Sequence, residues 1–156
     1  MYISNMSVFD EQPPIINISS FSKWLKENSS FFKSKQFKLS RLNSERDINL
    51  LIKVTGSKKY VVKISNPKES IDQLEYQDLL IKHLRLNKEL KKIYPEILHK
   101  KILFYKDRNQ RRCAVRVLTY IDGNMYAKSK KTHHTEKSLG KLLALQSNQL
   151  QSFIKN

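Results

Sequence analysis

The 156-residue chain has one cysteine, three glycines and four prolines. A lone Cys113 excludes an intrachain disulfide and makes a reducing, cytoplasmic setting the expectation. Within the strand-like run RRCAVRV it reads as a small core residue, not a reactive thiol. So few glycines and prolines exclude a linker-rich or low-complexity chain. No apolar run approaches the ~18 residues of a membrane span. The N-terminus MYISNMSVFDEQPP lacks the basic-then-apolar order of a signal peptide. Internal repeats, a Walker loop, Gly-x-Ser-x-Gly and zinc-ligand spacing are all missing. Carboxylates are scarce too, with 14 Asp and Glu against 30 Lys and Arg and a net charge of +16. That excess suits nucleic acid or another polyanion. Yet the lysines run from Lys23 to Lys155, with only the short clusters Arg111–Arg112 and Lys128–Lys131, so a solvated lysine-rich surface is the simpler account.

Periodicity organises the rest. Residues 1–18 show no period and are expected to form an extended arm. Ser19–Ser20 followed by FSKWLKENSSFF reads as a capped helix with Phe21, Trp24 and Leu25 on one face. FKLSRL, INLLIKV and YVVKI are strands separated by the turns NSERD and TGSKK, with Gly56 able to take positive φ. SNPKESIDQLEYQDLLIKHLRLNKEL is helical, with Pro67 in its first turn and Ile71, Leu74, Ile81 and Leu84 on its apolar face. HKKILFYKD and RRCAVRVLTYIDG are two further strands around the turn KDRNQ, and SLGKLLALQSNQLQSF is a last helix with a leucine stripe. The expected fold is α+β: a five-stranded antiparallel sheet with one long helix after the third strand, an N-terminal helix and a C-terminal helix. This element order resembles the layout of a protein-kinase-like small lobe.

The segments YVVKISNPKESIDQLEYQDLLIKHL, RRCAVRVLTYIDG, LGKLLALQSNQLQSF and LNSERDINLLIKV, taken together, resemble the aminoglycoside phosphotransferase and choline kinase superfamily. Within it they are most similar to the hydroxylysine kinases. The resemblance spans roughly residues 37–153 and implies a nucleotide-binding small lobe over residues 19–121. Residues 122–156 would then be the hinge and first helix of a large lobe. The lysine of the third strand, Lys63, would hold the α- and β-phosphates of ATP as a point charge. Helical geometry puts Gln77, not Glu75, on the stripe of Leu74, Ile81 and Leu84, so Gln77 is expected to face the sheet and Lys63. Ser44 and Arg46 in the glycine-free turn are expected phosphate neighbours. The backbone of Leu118, Thr119 and Tyr120 is expected to meet the adenine edge.

The same family needs a His-x-Asp-x-x-x-x-Asn loop and a second aspartate for magnesium. None of His83, His99, His133 or His134 is followed two positions later by Asp. The His133-His134 pair lacks the i,i+4 spacing of helical metal ligands and is expected in a solvated loop. The expectation is therefore an ATP-binding lobe that stops before its catalytic loop. Magnesium would arrive only with the missing lobe, and transfer to a hydroxyl of an amine or amino acid such as hydroxylysine would need it as well. Expected partners are a nucleotide and either a complementary large-lobe chain or a second copy docked through the C-terminal helix. Membrane and nucleic acid are not expected. The alternative is a non-enzymatic basic domain that binds RNA or another polyanion through strand aromatics of Ile102–Tyr105.

Overall fold

The computed structural model describes residues 11–56, 58–99 and 101–154. It is an α+β chain with a five-stranded antiparallel sheet of order β1-β2-β3-β5-β4. The strands are β1 (Phe37–Leu42), β2 (Ile48–Val54), β3 (Lys59–Ile64), β4 (Leu103–Lys106) and β5 (Arg112–Thr119). The helices are α1 (Ile18–Asn28), α2 (Ile71–Leu84) and α3 (His133–Ile154). Helix α2 follows the third strand, as the sequence order requires. No described helix is long and apolar enough to cross a membrane. Of the arm expected over residues 1–18, residues 1–10 lie outside the described residues.

The chain divides into two compact units. One comprises the residues up to Glu75 together with Ile97–Tyr120; the other comprises Tyr76–Glu96 and the residues from Ile121 onward. The boundary thus cuts α2 as well as the expected hinge near residue 121. The sheet unit packs Phe21 and Leu25 of α1, and Phe32 just after it, against alternate residues of the inner strands. Leu50 and Ile52 of β2, Val62 and Ile64 of β3, and Val115 and Val117 of β5 have no exposed surface. Phe21, Trp24 and Tyr105 form a triangle of rings, with centroids 5.1–5.3 Å apart. Cys113 belongs to the same core. The period of two therefore assigns one face of every strand to α1 and the other face to its own role.

Three helix starts differ from expectation, each because a side chain competes for backbone amides. Asn17, not Ser19, caps α1, its Oδ1 accepting from the Ser20 amide at 3.0 Å. Pro67 precedes α2 in a turn that Asn66 closes by accepting from the Lys68 amide at 3.0 Å, and the helix starts at Ile71. Helix α3 begins five residues before Ser138. The Thr135 amide donates to Thr132 Oγ1 at 3.2 Å and the Thr132 amide to Thr135 Oγ1 at 2.9 Å, a reciprocal cap. His133 and His134 consequently sit exposed in the first turn of α3, not in a loop. At the other end α2 stops at Leu84 instead of running to Leu90. Asn87 Oδ1 takes the amides of Glu89 and Leu90 at 2.9 Å and 3.3 Å and starts a separate 3-10 turn there.

In the second unit α2 and α3 are joined through His83. Its Nε2 lies 2.8 Å from the Gln149 carbonyl oxygen and 3.0 Å from Ser152 Oγ, and its ring packs on Phe153 at 5.0 Å. Tyr76 meets the same phenylalanine edge-on at 5.5 Å.

Candidate functional site

The face of the sheet turned away from α1 carries every strand cation except Arg41, which stands opposite the core residue Leu50. Residues directly opposite on neighbouring strands share a face, so the register arranges this face in rows. One row runs Leu42, Asn49, Lys63 and Arg116 across β1, β2, β3 and β5. Two residues further along, about 6.8 Å away, a row runs Ser40, Leu51, Val61 and Leu118. The sequence expectation that Lys63 points away from Val62 and Ile64 is met, because those two are buried on the α1 side.

Lys63 is half-buried and has no hydrogen-bond or ion-pair partner among the described residues. Arg116 is only 4% exposed, and its Nη1 donates to the Leu74 carbonyl at 3.3 Å. Arg116 is thus engaged by the rest of the protein, which leaves Lys63 as the cation of this row open to an anion. Beside them Asn49 Oδ1 is a buried acceptor with no hydrogen-bond partner among the described residues. It suits a hydroxyl or amine donor, while Lys63 suits phosphate.

The remaining expected site residues separate. Leu118 is buried with its side chain on the Lys63 face. Tyr120 continues that face, and its amide donates to the Lys59 carbonyl at 3.1 Å, so this amide is already engaged in the sheet. Thr119 stands opposite Tyr60 and therefore shares the α1 face. Ser44 and Arg46 are exposed in the β1–β2 turn, at the end of the sheet next to Lys63. Ser44 Oγ accepts from the Asn49 amide at 3.4 Å. The turn's Asp47 is directed elsewhere, its Oδ1 accepting from the Asn66 amide at 3.0 Å.

Gln77 is exposed on α2, against the expectation that it faces inward. The buried stripe passes through Leu74, Asp78 and Leu84. Residues 77 and 78 lie on either side of the line through Leu74, and 78 is the buried one of the two. Glu75 is exposed, as its position predicts.

A second polar centre was not visible in the sequence. Asp107, whose side chain has no exposed surface, closes the β4–β5 turn. Its Oδ1 accepts from the Asn109 and Arg111 amides at 2.9 Å and 3.0 Å. Its Oδ2 accepts from the Ile15 amide at 3.1 Å and from Arg111 Nη2 at 2.7 Å. Arg111 Nη1 reaches Glu11 Oε1 at 2.6 Å, and Nη2 donates to the Pro13 carbonyl at 2.9 Å. Arg111 thus fastens the N-terminal arm to the sheet, which removes it from any surface cluster with Arg112. Among the described residues no group of three or more His, Cys, Asp or Glu could hold a metal ion. Comparison of the chain with family models, curated proteins and solved structures returns no match.

Proposed function

We propose that the sheet unit binds an adenine nucleotide on the face opposite α1, in the manner of the small lobe of an aminoglycoside-phosphotransferase-type kinase. One observation carries this: a lysine without a partner stands on the third strand beside Arg116, one row from an apolar strip. Lys63 would hold phosphate as a point charge. Leu51 and Val61, both half-buried, would meet the flat side of the base, about 6.8 Å along the strands from that charge. A helix inserted after the third antiparallel strand supports the kinase-lobe comparison, as do the four resembling segments. The donor set for magnesium is not among the described residues of this chain. Phosphoryl transfer to a hydroxylysine-like acceptor is a property the resemblance lends to a whole kinase.

Binding to a single open face leaves much of the base and ribose in water. A Kd in the millimolar range, about −4 kcal/mol, is expected. ATP should shift amide resonances of β2, β3 and β5, and Lys63→Ala should abolish those shifts; unchanged shifts in that variant would remove Lys63 from the site. The 156 residues offer no His-x-Asp-x-x-x-x-Asn base and metal pair. The chain alone is therefore expected to consume no ATP with any amino alcohol, and turnover that depends on Lys63 would contradict this.

The proposed partner surface is α3. Leu139 and Leu143, one turn apart, are 38% and 54% exposed, and Leu142 and Leu150 are half-buried. Exposed apolar stripes of this kind mark interfaces. The net charge of +16 keeps copies apart at low salt, and screening to about 8 Å at physiological ionic strength weakens that repulsion. Sedimentation is expected to show a monomer at low salt and association as salt rises. A monomer at every salt concentration, unaffected by Leu139→Ser with Leu143→Ser, would rule the stripe out as an interface.

A further inference from the structure

The same sheet face carries a second row of cations. Lys38 of β1 stands opposite Lys53 of β2, Lys53 opposite Lys59 of β3, and the Lys59 carbonyl accepts from the Tyr120 amide. Three lysines and a tyrosine thus lie side by side across four strands spaced about 4.8 Å apart. Lys59 Nζ sits over the Tyr120 ring, 5.3 Å from its centroid. Lys38 and Lys53 are exposed and have no hydrogen-bond or ion-pair partner among the described residues. Lysine on an edge strand discourages edge-to-edge pairing, which accounts for Lys38 on β1. It does not account for Lys53 on the inner strand β2, which stands directly opposite both Lys38 and Lys59, where like charges cost stability. None of the strand residues on this face is a carboxylate.

The two cationic rows are separated by four residues of strand, about 13 Å, with the half-buried Leu51 and Val61 between them. A nucleoside triphosphate carries its charge at one end and can use one row. A ligand that uses both needs anionic groups on either side of a flat apolar ring. A single-stranded oligonucleotide has this pattern, with phosphates flanking each base and an aromatic such as Tyr120 available for stacking. We propose that Lys38, Lys53 and Lys59 form a second phosphate subsite and that the sheet face binds single-stranded nucleic acid. The proposal rests on the nucleotide reading of the Lys63 row and extends it.

The test uses the full chain with a labelled 12-nucleotide oligoadenylate, ATP, and an inorganic polyphosphate of similar charge. Fluorescence anisotropy across salt should show the oligonucleotide bound more tightly than ATP or polyphosphate. Lys38→Gln with Lys53→Gln should weaken oligonucleotide binding, leave ATP binding unchanged, and lower the slope of log K against log salt by roughly 1.4, about 0.7 for each phosphate contact. Removing opposed charges should keep or raise the melting temperature, so lost binding would not reflect lost folding. Unchanged oligonucleotide affinity and salt slope in the double variant would overturn the subsite. Polyphosphate binding as tight as the oligonucleotide would overturn nucleic acid as the ligand in favour of a polyanion without bases. If Lys63→Ala leaves ATP binding intact while the double variant still loses the oligonucleotide, the Lys63 assignment fails and the second row stands.

Discussion

Asp107→Ala is expected to destabilise the fold by about 3–5 kcal/mol, the scale of breaking a buried ion pair by removing one partner. The carboxylate receives three backbone amides, those of Ile15, Asn109 and Arg111, and the Arg111 guanidinium. Truncation strands all of them at once. It also loosens Gln110, whose φ of 61° is held by the turn that Asp107 closes. Asp107→Asn should recover part of the loss, because an amide oxygen still accepts from the Asn109 and Arg111 amides while its NH2 confronts other donors. Chemical denaturation of the three proteins measures this. A loss under 1 kcal/mol for Asp107→Ala would mean the arm and turn hold without the clasp.

The same residue sets a pH dependence. Burial alone would raise the Asp107 carboxyl. Hydrogen bonds from the Arg111 side chain and from the Ile15 and Arg111 amides outweigh burial and hold it below its usual 3.8. A carboxyl depressed in the folded state adds stability above its unfolded value of about 3.9, and that stability is lost as pH falls below it toward the folded value. Wild type should therefore lose stability below about pH 4 more steeply than Asp107→Ala does.

The strands were legible because both their faces have a period of two and their turns carry Gly56 or polar residues. The same alternation of Val62 and Ile64 around Lys63 fixed which way that lysine points. Helix starts were less legible, since Asn17, Asn66 and Thr132 compete equally well with the residues chosen. Gln77 was misplaced for a related reason. The apolar residues of α2 define a stripe too broad to distinguish position 77 from 78, and the buried position is a carboxylate, Asp78, which hydrophobic patterning does not mark. Asp107 and Arg111 read as an ordinary polar turn because their partners Glu11, Pro13 and Ile15 are 92 to 100 residues away.

Charge shows the same limit. Along the sequence Lys38, Lys53, Lys59 and Lys63 look dispersed. Antiparallel register folds the chain back so that these spacings become neighbours in two rows on one face. Linear clustering therefore understates how cationic that face is, and the choice between a solvated surface and an anion-binding one depends on register.

Cys113 is expected to react with a thiol reagent at least about a hundredfold more slowly in the native protein than in the unfolded chain. Burial pushes its thiol up from 9.0 to about 11, and the nearby Asp107 charge adds to the rise. That shift alone lowers the thiolate fraction about a hundredfold at neutral pH, and the thiolate is the reactive form. The sulfur has no exposed surface, and its Sγ–H points to the Arg111 carbonyl at 3.6 Å. Reagent must therefore wait for β5 to open, and the native rate reports the open population. As the sole cysteine it gives a single-site readout of the sheet that carries Lys63. Asp107→Ala removes the adjacent charge and loosens the β4–β5 turn, so both effects should accelerate labelling. A nucleotide bound across β2, β3 and β5 should slow it, in proportion to its occupancy. Native labelling within a few fold of the unfolded rate would show that β5 is open in solution, and with it the face on which Lys63 stands.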